Sequence, residues 1–202
     1  MKITTVIFDI GGVLIGYSFT NYLMKLYKDT EKVAKIKDAL FEHGVWTEVD
    51  RGVWTEEEIF EGFYKYGAGF EEEIKNFWDT IGDALWQYDF TKELIQSIKK
   101  KGVKVLYLSN WSQHLCTHAE KQMDFLPLMD GGVFSFKEHL VKPDREIYEC
   151  ILKKYNLRPE ECVFLDDKPE NTAAAISCGI NAITVTDHEK AHSDLFKLLD
   201  ME

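Results

Sequence analysis

Two rhythms of apolar residues divide this chain. Thr4-Thr5-Val6-Ile7-Phe8 is a continuous β-branched and aromatic run, the pattern of a strand buried on both faces at the centre of a parallel sheet. It ends at Asp9, and Ile10-Gly11-Gly12-Val13-Leu14 follows at once. A carboxylate therefore stands where a strand meets a tight turn, with Cβ-free positions that let a ligand approach the backbone. From Leu14 to about Tyr88 the spacing becomes helical. Residues 21–41 place Tyr22, Leu23, Leu26, Tyr27, Val33, Ile36, Ala39 and Leu40 close to one helical stripe. Thr55-Glu56-Glu57-Glu58 ahead of Ile59 and Phe60 predicts a capped helix start. Residues 71–85 predict a third helix, with Ile74, Phe77, Trp78 and Ile81 on one face. No strand-like run interrupts this block, which reads as a helical unit inserted into an α/β domain.

The strand rhythm then returns. Residues 91–101 predict an amphipathic helix stopped by Gly102. The strand of residues 103–108 ends in Ser109-Asn110, a helix starts near Gln113, and a short strand falls near Val133-Phe134-Ser135. Lys142-Pro143-Asp144 opens another helix, with Pro143 in its first turn. Cys162-Val163-Phe164-Leu165 is a strand ending in Asp166-Asp167, followed by a helix over 171–178 and a last strand over 181–186. This alternation predicts an α/β fold: a doubly wound, parallel, Rossmann-like sheet with right-handed crossovers, formed by residues 1–14 and 89–202, carrying a helical cap over 15–88.

Composition narrows the partners. With 45% hydrophobic and 13% aromatic residues among 202, the chain carries enough apolar surface for one substantial core. The 24 basic against 35 acidic residues give a net charge of -11, which argues against nucleic acid and anionic membranes as partners. No apolar stretch approaches the roughly 18 residues of a membrane span, and Asp9 interrupts the apolar run at the start, unlike a signal peptide. Cys116, Cys150, Cys162 and Cys178 form no CxxC pair and read as reduced thiols of a cytoplasmic protein. A monomer or weak dimer is expected.

A parallel sheet gathers its strand C-termini on one edge. Asp9, Ser109-Asn110 and Asp166-Asp167 would share that edge, with Lys142 at the start of a later helix. Three carboxylates brought together there are costly unless a cation offsets them. A hard divalent ion on oxygen ligands, magnesium first, resolves that cost.

These segments resemble the motifs of the haloacid dehalogenase superfamily of hydrolases, small helical-cap type, and within it the sugar-phosphate phosphatases. Asp9-Ile10-Gly11-Gly12-Val13 is similar to the first motif, Ser109-Asn110 to the second, Lys142-Pro143 to the third and Asp166-Asp167 to the fourth. The resemblance implies a magnesium-dependent phosphatase of small organic phosphates, with Asp9 as the nucleophile that forms an aspartyl-phosphate. It implies that Asp9, the Gly11 carbonyl, Asp166 and Asp167 hold the metal. It further implies that Ser109 and Asn110 hydrogen-bond the phosphoryl oxygens, and that Lys142 neutralises phosphate and nucleophile. Charge makes these roles necessary. A unit pair at ~4 Å is worth about 4 kcal/mol at an effective dielectric near 20, roughly a thousandfold in rate. One position departs from the family pattern: the usual second Asp, two residues after the nucleophile and acting as general acid, is Gly11 here. That loss ordinarily costs roughly 10²- to 10⁴-fold. It leaves two alternatives standing, a 2-haloacid dehalogenase and a member that only binds phosphorylated ligands.

Other signals have plainer readings. His188-Glu189-Lys190-Ala191-His192 fits the HExxH zinc pattern, which would make a zinc protease. The extended form of that motif would need Gly and His where Leu195 and Leu198 stand, so the segment reads as a solvated terminal helix. His114, Cys116 and His118 read as a helix surface. Trp46, Trp54, Phe63, Tyr64, Phe77, Trp78 and Trp86 are expected to form the cap's own core, with one or two reaching the substrate. Arg51, ahead of Gly52 in a predicted turn, is a candidate substrate contact, and Trp111 a candidate pocket wall. Glu71-Glu72-Glu73 reads as a helix start favoured by the helix dipole.

Overall fold

The computed structural model describes residues 2–201. Five strands form one parallel sheet: β1 (Thr5–Phe8), β4 (Lys104–Ser109), β5 (Gly132–Phe134), β6 (Cys162–Asp166) and β7 (Asn181–Thr184), in the order β5-β4-β1-β6-β7. β1 lies at the centre, with Phe8 in register with Tyr107 on one side and Leu165 on the other. The chain builds outward from β1 first through β4 and then through β6. The point where it switches sides is where open α/β sheets hold their ligands.

Both faces of the sheet are covered, which is why its strands lack polar alternation. Val6 and Phe8 share one cluster with Leu94, Ile95 and Ile98 of α6 (Thr91–Lys100) and with Ala191 and Leu195 of α11 (His188–Leu198). Ile7, Leu106 and Phe164 face the other way, onto Ile147, Tyr148 and Ile151 of α9 (Arg145–Lys154) and Ala175 of α10 (Pro169–Ser177).

Between β1 and α6 lie five α-helices: α1 (Phe19–Tyr27), α2 (Thr30–Phe41), α3 (Val45–Arg51), α4 (Glu56–Tyr66) and α5 (Glu71–Thr80). The stripe over 21–41 is broken into two helices, because Lys28 takes a left-handed φ of 53° and Asp29 caps the next helix by accepting from the Lys32 N–H. The capping box forms as expected. The Glu58 N–H donates to Thr55 Oγ1 at 3.2 Å and the Thr55 N–H donates to Glu58 Oε2 at 2.7 Å.

The block is not wholly helical. β2 (Ile15–Tyr17) pairs antiparallel with β3 (Leu85–Gln87) and brackets the helices. Strands of three residues are too short to show a period, and their signal is one of packing. Trp86 lies over Gly16, whose Cβ, if present, would come within 2.3 Å of the indole. Two further boundaries shift. α9 starts at Arg145 with Asp144 as its N-cap, so Pro143 stands ahead of the helix. α10 starts two residues before Asn171, at Pro169. All four cysteines are free. Among the described residues no helix is long and apolar enough to cross a membrane.

Candidate active site

Three strands deliver polar residues to the sheet's C-terminal edge: β1 leads into Asp9, β4 ends at Ser109 and β6 ends at Asp166. Asp9 follows β1, and its N–H is fixed by the Leu165 carbonyl at 2.8 Å. Three donors converge on Asp9 Oδ1: the Ile10 N–H at 2.7 Å, the Ser109 hydroxyl at 2.6 Å and Lys142 Nζ at 2.9 Å. They fix the carboxylate's orientation and leave Oδ2 as the oxygen that none of them uses. Burial raises the Asp9 carboxyl to about 6, against the opposing pull of Lys142. Lys142 is sealed, its side chain 1% exposed, and it also donates to Asp166 Oδ2 at 2.6 Å. Burial alone would lower its pKa, but the two carboxylates hold the ammonium above its ordinary value.

The other predicted residues arrive with different neighbours. The Asn110 side chain clasps the Lys142 backbone at both ends: its Nδ2 donates to the Lys142 carbonyl at 2.9 Å and its Oδ1 accepts from the Lys142 N–H at 2.8 Å. In this structure it positions the lysine. Asp166 is held by Asn171 Nδ2 at 3.0 Å and the Lys168 N–H at 2.8 Å, besides Lys142. Asp167 is partly exposed, and burial followed by the charge of Asp166 raises its carboxyl. Gly12 makes room for it. Its φ is +75°, and a Cβ there would stand 2.5 Å from Asp167 Oδ2. Gly11 lines the same cavity as Asp9 and has ordinary clearance, with Tyr17 the nearest neighbour of a Cβ at 3.5 Å.

Asp9, Asp166 and Asp167 each offer an oxygen within 4.8 Å of the others, the one such cluster of acidic, His or Cys ligands among the described residues. One buried ammonium against three carboxylates leaves negative charge uncompensated. The donors are all hard oxygens. The set fits a divalent cation of the magnesium type.

Asp9, Gly11, Ser109, Asn110, Lys142 and Asp167 form one wall of a cavity of about 350 Å³. Trp111 lines it, as expected, together with Tyr17, Phe19, Phe41 and Trp46. The rings of Phe19 and Phe41 stack at 5.3 Å, and Trp46 packs on Phe41 at 4.9 Å. Phe63, Phe77 and Trp78 are buried within the insertion, while Trp54 and Trp86 are exposed.

Four lining groups escaped the sequence reading: Asp50, Lys37, Lys168 and Asn171. Lys168 and Asn171 carried a usable signal, since they follow Asp166 within the first turn of the next helix. Asp50 carried none, because a helix end reaches the site only through docking. Arg51 turns away instead, to Glu48 at 3.4 Å and Asp144 at 3.8 Å.

The histidine motifs are spent on structure. His188 shares a hydrogen bond with the Gly12 carbonyl at 3.0 Å, and His192 meets the Phe90 ring edge-on. His192 is thus packed where a solvated helix was expected. His114 bonds the Trp78 carbonyl, and His118 stacks on His114.

Residues 3–179 match the family model of the haloacid dehalogenase-like hydrolases. The chain belongs to that family. As a haloacid dehalogenase-like hydrolase it is 29% identical over 183 residues to a sesquiterpene phosphatase from Aspergillus oryzae, covering 90% of this chain and 89% of the relative. It is 28% identical over 206 residues to acyl-CoA dehydrogenase family member 10 from Mus musculus, covering 96% of this chain but spanning only 19% of that protein. Among solved structures, a haloacid dehalogenase family enzyme from Bacteroides thetaiotaomicron, in complex with magnesium and inorganic phosphate, superposes with a TM-score of 0.70. That pair is 20% identical, covering 90% and 93% of the two chains. Solved dehalogenases share the fold as well, one at 16% identity and a TM-score of 0.68.

Proposed function

We propose that this hydrolase is a magnesium-dependent phosphatase of small organic phosphate monoesters, acting through an aspartyl-phosphate on Asp9. One observation carries the reading: an oriented Asp9 carboxylate shares a cavity with Lys142, Ser109 and Asp167, and Asp166 completes a three-carboxylate cluster behind it. A carbon–halogen bond presents no polyanion, so it gives a divalent cation held by three carboxylates, and a buried lysine, nothing to balance. A phosphate monoester does.

A metal held by Asp9, Asp166 and Asp167, with the Gly11 carbonyl, would supply positive charge beside the phosphoryl group. Lys142 adds the second cation, held in place by Asp166 and by the Asn110 clasp. Ser109 keeps Asp9 turned so that Oδ2 faces phosphorus, and its hydroxyl is placed for a phosphoryl oxygen. The helical insertion serves as the cap, limiting water around the acyl phosphate.

The aromatic wall of Tyr17, Phe19, Phe41, Trp46 and Trp111 favours an apolar alcohol portion in the substrate, because such rings offer area for dispersion and few hydroxyl partners. The kinship with a sesquiterpene phosphatase supports the same choice. A sugar phosphate is the second reading, favoured by the polar groups of Asp50, Lys37 and Lys168 on the same cavity.

The test is phosphate release from p-nitrophenyl phosphate, an isoprenyl monophosphate and a panel of sugar phosphates, with magnesium and with chelator. Release that needs magnesium and vanishes in Asp9→Asn is the expected result. Turnover of 2-haloacids in chelator would overturn it, as would magnesium-loaded, folded protein that releases no phosphate from any ester.

A further inference from the structure

Cleaving an alkyl phosphate through Asp9, the reading on which this inference rests, expels an alkoxide about as basic as hydroxide. It needs a proton as it leaves. Gly11 has none to give. A Cβ there would be in ordinary contact with Tyr17 at 3.5 Å and Trp111 at 3.9 Å. The donor must come from elsewhere on the cavity wall.

Tyr17 is a poor source, its phenol pushed up to about 12 by burial and by the charge of Asp167. Lys142 is committed to Asp9 and Asp166. Asp166 and Asp167 sit in the carboxylate cluster. Asp50 remains. It stands in the last turn of α3, and its Oδ1 is buried without a hydrogen-bond partner. An unsatisfied buried carboxyl oxygen in a native fold calls for an explanation. Burial, reinforced by Asp9 and opposed by Lys168 and Lys142, pushes this carboxyl up to about 7, where a group both gives and takes a proton readily.

The position of Asp50 is built rather than incidental. Its carbonyl accepts from the Ser135 hydroxyl at 2.6 Å, and Ser135 Oγ accepts from the Trp111 N–H at 2.9 Å. Two residues before Trp111 stands Ser109, which holds the nucleophile. The Arg51 carbonyl is bound by the His139 ring at 3.1 Å, and Gly52, at φ +70°, packs so closely on Phe136 that a Cβ would lie 2.8 Å from it. The end of α3 is thereby fixed to the segment that follows β5 and, through Ser135 and Trp111, to the turn just after Ser109.

We propose that Asp50 is the general acid and base of this site, supplied by the helical insertion in place of the residue two after the nucleophile. In the first step the Asp9 Oδ–P bond forms, the ester P–O bond breaks, and the Asp50 carboxyl proton passes to the departing oxygen. In the second, water oxygen bonds to phosphorus, the Asp9 Oδ–P bond breaks, and the water proton returns to the Asp50 carboxylate. The site ends as it began.

Leaving-group dependence tests this. Asp50→Asn and wild type are compared on p-nitrophenyl phosphate and on a series of n-alkyl phosphates with magnesium, with circular dichroism and thermal midpoints as the check on folding. p-Nitrophenolate departs without a proton. Loss of the base should lower kcat on both classes of ester, whereas kcat/KM, which reports the phosphorylation step alone, should fall no more than about threefold on the aryl ester and roughly 10²- to 10⁴-fold on alkyl esters. An equal loss of kcat/KM on aryl and alkyl esters overturns the assignment, because it reports a binding or structural role. So does no loss on either. Wild-type protein that hydrolyses no ester fails on a different ground, for it removes the phosphatase reading itself.

Discussion

Lys142→Met tests the charge balance of the site most directly. The substitution keeps the length of the stem and removes the ammonium, which lies 2.9 Å from Asp9 and 2.6 Å from Asp166, with side chains 10% and 0% exposed. At an effective dielectric of about 20 each contact is worth roughly 6 kcal/mol of gross attraction. Desolvation of the lysine offsets much of this, and removing one partner of a buried pair costs about 3–5 kcal/mol net. For a chain of this size that corresponds to a fall in Tm of about 10 °C. The deficit has two signatures beyond its size. Magnesium should raise the Tm of the variant more than that of wild type, because the ion then faces three carboxylates with no ammonium among them. The gap should also narrow from pH 8 towards pH 5. Without the ammonium the Asp9 carboxyl rises further above about 6, so it becomes protonated within the fold and its penalty is relieved. Calorimetry at two pH values, with magnesium and with chelator, measures all three. A variant that melts within 2 °C of wild type and responds no more strongly to magnesium would refute the reasoning.

Two further predictions separate neighbouring residues and states. Gly12→Ala should cost about 1–3 kcal/mol and weaken magnesium at least about tenfold, through its left-handed φ and the collision with Asp167, whereas Gly11→Ala should melt like wild type; thermal unfolding and magnesium titration compare them. Asp50→Asn should be the more stable protein above neutrality. The folded carboxyl titrates near 7 against an ordinary 3.8, so stability is full below the ordinary value and is lost as pH rises towards 7. The variant's advantage therefore grows between pH 5 and 7 and levels off above, which denaturant unfolding across that range measures. An advantage that stays constant across the range would contradict the raised pKa.

What could be read from the chain follows from how far each residue sits from a regular element. Asp9, Ser109 and Asp166 end apolar runs, and a parallel sheet carries strand ends to one edge whatever the loops do. Lys142 is legible as a cation at a helix start near that edge, but its role rests on the family resemblance, since its exact place depends on the Asn110 clasp across two segments. The division at Lys28 hid because a single left-handed residue leaves the apolar stripe intact on both sides. Arg51 drew notice as a cation beside a turn, yet the next residue back faces the cavity. A helix rotates by about 100° per residue, so neighbours in sequence point apart, and only the docking of α3 on Ser135 and Phe136 decides which one enters.

That docking ties chemistry to closure. With Asp50 on the insertion and Asp9 on the sheet, neither half of the molecule holds a complete reaction site. On the proposed assignment, a small anion such as inorganic phosphate would occupy the Asp9 end without engaging the aromatic wall. A substrate whose alcohol portion fills that wall stabilises the arrangement that brings the proton donor into reach. Selectivity then resides in assembly as much as in affinity: a poor fit is turned over slowly because the machine that would cut it is never fully put together.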